Sequence, residues 1–246
     1  CLVLQVIAYG IYGYMIDYST MIGGTPSRNM MSGIGFRPTG LTAEPSVYCG
    51  ITAWLITLRY AVNKKSDLLF VLANFSMLLT LSFVGVFLCF GILLIGFFRV
   101  KLILPVIGLI STGYFMLIDR INERISLFLS GGDGSNNIKI ETWINFISNS
   151  DIYFYGYGLV GKSQSAPSFY ESLYDMTIFG NLFTILGIPL GIVALLAFIF
   201  FMAHINLPKR AKLMLILSSL KISLPFFAVF YFSLSLLSAV SKREKL

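Results

Sequence analysis

Arg37 and Glu44 lie in one stretch, GFRPTGLTAEPSVY, at residues 35–48. An arginine fixed in such a stretch can hold a phosphate through paired N–H donors. Glu44 can accept a proton from an attacking hydroxyl or orient Arg37. Pro38, Gly40 and Pro45 bar a regular helix here, so a rigid loop carries both charges. The same letters also fit a solvated connector with an ordinary arginine.

Other candidates follow along the chain. Arg120 and Arg124 fall one helical turn apart, on one face, where Glu123 and lipid headgroups are their bland partners. Gly156, Gly158 and Gly161 match G-x-G-x-x-G. A dinucleotide fold needs a strand before that motif and a helix after it, and KSQSAPS follows instead. The expectation is a glycine loop that lets backbone approach a ligand closely. His204 is the one histidine and lies at the end of an apolar run, so a Ser-His-Asp triad in the polar loops is out of reach. Cys1, Cys49 and Cys89 sit in apolar segments, which offers neither a disulfide framework nor a zinc site.

Elements that could position these residues must be membrane helices. Hydrophobic residues make up 57% and charged ones only 12%, and the mean hydropathy is +0.83. A soluble domain carries roughly 25% charged residues. Several apolar runs approach the ~20 residues that cross a ~30 Å hydrocarbon layer. They are continuous rather than alternating, which excludes a β-barrel. The fold class expected is an all-α polytopic membrane protein forming a single transmembrane domain over residues 1–246. Because the chain opens at Cys1 inside an apolar run, without a signal-peptide pattern, it is expected to be a fragment lacking its N-terminal spans.

Spans are expected at residues 1–16, 45–62, 102–118 and 178–203. Hairpins are expected at 68–98, turning near 82–85, and at 213–240, turning near 221–225. Short connectors and the tail hold Lys64, Lys65, Arg99, Lys101, Lys209, Arg210, Lys212, Lys242, Arg243 and Lys245. Loops 17–44 and 119–177 together carry more acids than bases, so they face outward by the positive-inside rule. The net charge of +7 therefore orients the chain and meets anionic membrane lipid, and no nucleic acid is expected as a partner. Within the large loop, residues 119–129 have helical spacing for the membrane surface, 131–137 form a flexible break, and 138–148 form a second helix bearing Lys139, Glu141 and Trp143.

These pieces resemble the bacterial O-antigen and exopolysaccharide polymerases (Wzy-type), relatives of the O-antigen ligases. The likeness rests on R-x-x-G-x-x-x-E-P-S (Arg37, Gly40, Glu44, Pro45, Ser46) and T-x-S-x-x-G (Thr80, Ser82, Gly85). It continues in W…G-x-G (Trp143, Gly156, Gly158) and G-x-x-x-G (Gly187, Gly191). Such a resemblance implies a GT-C-like helical bundle whose outer loops, 17–44 and a large helical 119–177, are periplasmic. It implies a glycosyltransferase that joins undecaprenyl-diphosphate-linked oligosaccharides, with no metal or other cofactor and with a chain-length regulator protein as partner.

In such enzymes arginines hold the donor diphosphate, a role that falls by position to Arg37. Related ligases have a late-loop histidine that is missing here, and Lys139 stands where many polymerases have an arginine before the tryptophan. A second phosphate clamp falls to Lys139, Arg120 or Arg124. Trp143, Gly156 and Gly158 join the substrate-binding set. Lys221 lies in an apolar run, where it either snorkels to the outer turn marked by Pro225 or contacts the phosphate. The alternatives are a ligase acting on lipid A core and a transporter of lipid-linked sugar.

Overall fold

A computed structural model describes residues 1–31, 35–97, 118, 122–123, 126, 129–131, 134–160, 163–164, 166–174, 176–221 and 228–243. Helix α1 spans Leu2–Tyr12, and a short α2 spans Tyr18–Met21. Strands β1 (Met30–Met31) and β2 (Gly35–Phe36) pair antiparallel. Helices α3 (Pro45–Asn63), α4 (Leu68–Leu79) and α5 (Phe83–Gly96) follow. After them come α6 (Gly134–Ser148), α7 (Ser150–Tyr155), α8 (Ile178–His204), α9 (Lys209–Ser218) and α10 (Ala228–Arg243). The architecture is mostly helical, as the composition requires.

Pro45 occupies the first turn of α3, where a missing N–H costs nothing. Cys49, Gly50, Ala53 and Thr57 keep parts of that helix thin, and α4, α5, α9 and α10 all pack on it. Trp54, Phe70, Met77, Leu88, Ile92 and Met214 are fully buried in the resulting core. Residues 68–97 do turn back on themselves, at Thr80–Ser82 instead of the expected 82–85. Thr80 Oγ1 bonds Met77 O, Leu81 takes a left-handed φ of 51°, and α5 then returns along α4. A β-carbon on Gly85 would stand 2.6 Å from Cys49 Sγ, so only glycine lets α5 come this close to α3.

The basic ends of the helices gather at one end of this bundle. Ser66 Oγ and Arg210 Nη1 both donate to Gly96 O, at 3.3 and 3.4 Å. Asn206 N donates to Ser241 Oγ, and Lys212 Nζ to Ala203 O. Asp67 caps α4 by accepting from Phe70 N at 2.9 Å and forms an ion pair with Arg59. Arg59 first, then the Phe70 amide, hold the Asp67 carboxyl down at about 2. A depressed carboxylate stabilises the fold above its ordinary value near ~3.9 and loses that contribution as pH falls through about 2. Both side chains are over a third exposed, so the effect is small. Thermal melts of wild type should fall between pH ~4 and ~2, and those of Asp67→Asn should fall less there, the remainder belonging to other carboxylates such as Asp17.

Among the described residues, α8 is the one helix long and apolar enough to cross a membrane, and Leu2–Tyr12, Leu68–Leu79, Phe83–Gly96 and Ala228–Lys242 are shorter apolar helices. It covers the span expected at 178–203 but is not one straight rod. Gly187 breaks it at φ 74°, ψ 170°, a backbone region open to glycine almost alone. The expected flexible break at 131–137 also gives way, because the helix begins at Gly134. All but the last residue of the expected span at 102–118, and Arg99, Lys101 and Pro225, lie outside the described residues. So do most of the expected surface helix at 119–129, and with it Arg120 and Arg124.

Candidate functional site at the end of α3

The stretch of residues 35–48 is a built loop. Arg37 N donates to Asn29 O at 2.7 Å, extending the β1–β2 ribbon, and Phe36 stacks on Tyr9 of α1 at 4.2 Å. The side chain of Gln5, fully buried, takes hydrogen bonds from Thr39 N (3.1 Å) and Gly40 N (2.8 Å). Its Nε2 donates to Ile16 O at 2.9 Å. Thr39 Oγ1 donates to Asn29 Oδ1, and Thr42 Oγ1 is shared between Thr39 O and Glu44 O. Gly40, at φ 62°, lies against the Tyr48 ring, where a β-carbon would stand 2.9 Å away. Pro38, Thr39 and Gly40 are buried and Arg37 is half-buried.

Glu44 does not serve as the orienting partner of Arg37 that its spacing suggested. Its Oε1 pairs with Arg28 Nη1 at 2.7 Å, and its Oε2 lies 3.4 Å from Ser46 Oγ. One carboxylate oxygen is thus committed to a guanidinium, and the other faces a hydroxyl. Arg28, a residue the sequence did not single out, adds a second cation to the loop, with its side chain 69% exposed. Asp17 fixes the approach to it by accepting from Ser27 N, Ser19 N and Thr20 N, which holds its carboxyl below the usual range.

The α4–α5 turn meets this end of α3. Tyr48 Oη and Ser76 Oγ are 2.8 Å apart, and Cys49 Sγ and Thr80 Oγ1 are 3.2 Å apart. Lys221, just past α9, lies within electrostatic range of Cys49 and is only 9% exposed. It is therefore buried among the helices near the first turns of α3. The structure brings the Arg37 loop, the Thr80–Gly85 motif and Lys221 around the first turns of α3.

Lys139 and Trp143 belong to a second cluster. They lie on α6, whose partners are α7 and the 3₁₀ turn Tyr170–Tyr174. Thr142 Oγ1 bonds Ser172 Oγ there, over a small core of Phe146, Phe169, Leu173 and Met176. Gly156 lies against α8 and not in open space for a ligand, which corrects that expectation for it. Tyr157 N donates to Thr184 O (2.8 Å) and Gly158 N to Ile185 O (2.9 Å). The close backbone approach that Gly156 allows is to the break in α8, because a β-carbon there would stand 2.3 Å from Ile185 O. Gly161 lies outside the described residues. Burial pushes the Tyr157 phenol above its ordinary value, and its Oη has no hydrogen-bond partner among the described residues.

Chemically, the first cluster offers cations beside a carboxylate whose second oxygen accepts only a long hydrogen bond from Ser46 Oγ, a set suited to a phosphorylated ligand. Among the described residues no group of His, Cys, Asp and Glu is gathered as a metal site would need. Comparison with family models, with curated proteins and with solved structures returns no match for this chain.

Proposed function

We propose that this chain belongs to a multi-pass, GT-C-like glycosyltransferase of the bacterial inner membrane. It joins undecaprenyl-diphosphate-linked repeat units into O-antigen or exopolysaccharide at the periplasmic face. The observation that carries this reading is the clamped Arg37 loop, held at the end of the bundle opposite the basic connectors. The positive-inside rule turns that end outward. In the transfer, an acceptor hydroxyl bonds to the anomeric carbon while the bond from that carbon to the diphosphate breaks. The electron pair leaves with the diphosphate, whose growing charge meets the Arg37 fork and the Lys221 ammonium. The hydroxyl proton passes to Glu44 Oε2. Lys139 adds a contact with the lipid-linked oligosaccharide, and Arg120 and Arg124, outside the described residues, are the further candidates.

Deleting the gene tests this reading. Cells should lose the polymer ladder and retain single repeat units on the lipid A core. A second reading, transport of the same lipid-linked sugar, is favoured by one observation, the lysine buried inside the bundle. A transporter defect would leave no repeat unit on the core at all.

A further inference from the structure

Helix α6 has three faces. Thr142 and Phe146 are buried, and Glu141, Asn145 and Ser148 are exposed and polar. Ile140, Trp143, Ile144 and Ile147 follow the i, i+3, i+4, i+7 spacing of a single stripe, and all four are exposed. An exposed apolar stripe next to an exposed polar one needs a boundary between oil and water.

The neighbouring elements say which boundary. Burial along α8 changes at Gly187: Ile178 is 1% exposed, whereas Val193 is 61%. Leu190, Leu196, Ile199 and Phe200 are exposed beyond the break as well. Residues 188–204 measure about 25 Å at 1.5 Å per residue, close to the hydrocarbon thickness. Helix α7 docks at the break, with Phe154 O against Gly187, and exposes Tyr153, Phe154 and Tyr155. Trp143, Phe146 and Tyr153 touch ring to ring, at 5.8 and 5.7 Å, which links the α6 stripe to this aromatic patch.

We infer that Gly187 marks the outer surface of the hydrocarbon layer, and that α6 and α7 lie on that surface with the Ile140–Ile147 stripe among the lipid acyl chains. The Tyr153–Tyr155 rings then sit at headgroup depth, where aromatic side chains concentrate. Only the second part of α8 crosses the layer, and its first part belongs to the outer cap. The inference rests on α8 crossing a membrane and is independent of glycosyl transfer.

Nitroxide labels test it in the full chain, reconstituted into phosphatidylethanolamine–phosphatidylglycerol vesicles. The exposed thiol is removed by Cys1→Ser, and the other two cysteines are buried. Labels at Ile144→Cys and Ile147→Cys should collide with oxygen more than with a water-soluble nickel chelate. At Asn145→Cys the order should reverse. Val193→Cys reports separately on α8. Oxygen preference at Val193→Cys with nickel preference at both stripe positions would overturn the inference and leave the membrane reading intact. Nickel preference at Val193→Cys would overturn both. Spin–spin broadening at Ile144→Cys that vanishes on dilution with unlabelled chain would assign the stripe to a second copy, and would overturn it too.

Discussion

Arg37→Ala is expected to abolish polymer formation while the protein stays in the membrane at its normal level. The loop is held by backbone N–H groups of Arg37, Thr39 and Gly40, which the substitution leaves in place. On the proposed reaction, what goes is a planar fork of donors for the departing diphosphate. Removing one fixed donor of developing charge costs about 10²–10³-fold in rate, roughly 2.7–4 kcal/mol. Arg37→Lys should recover part of the yield, since an ammonium carries the charge without the bidentate geometry. Glycan ladders and membrane immunoblots read the two effects apart. Normal ladders from Arg37→Ala would remove this residue from the site.

Gly187→Ala is expected to be the most damaging of the glycine substitutions. A β-carbon there would lie 2.1 Å from Phe154 O and 2.8 Å from Gly156 N, both backbone atoms that no rotamer change can move. The conformation adds strain of about 1–3 kcal/mol, and the overlap takes the total into the range above about 4 kcal/mol. Gly156→Ala meets Ile185 O in the same way. Gly158→Ala is the control, since it has positive φ but nothing within 4 Å of its β-carbon. It should lose only the left-handed strain, about 1–2 kcal/mol. Limited proteolysis of the α7 segment and thermal melts in detergent rank the three. A wild-type melt for Gly187→Ala would mean that this docking does not hold the outer cap.

Local signals made some of this legible and distance hid the rest. Pro45 announced the start of α3 because its effect is local, and the hairpin at 68–98 followed from the basic connectors at both of its ends, which must lie on one side. The β1–β2 ribbon was invisible, since two residues per strand carry no alternation and a stacked Tyr9 helps to hold it. G-x-G at 156–158 was correctly read as a close approach but assigned to the wrong partner, because the backbone it meets lies at 184–187. Glu44 and Arg28 are joined only by the fold of the loop, and Arg59 was overlooked because it sits inside an apolar run. The Arg37 loop itself was found from its residue types, and its rigidity was expected from two prolines and a glycine. The clamp that supplies much of that rigidity was not, because Gln5 lies in another helix.

That clamp ties the timing of two motions together. Helix α1 buries only Leu2 and Gln5, so few apolar contacts hold it. The hydrogen bonds of Gln5 run to residues 16, 39 and 40 at once. Undocking α1 strips Thr39 N and Gly40 N of their acceptor, and opening the loop strips Gln5 of its donors. The two events form one cooperative unit. The amide protons of Thr39 and Gly40 thus exchange with solvent at a rate set by a helix to which neither residue belongs.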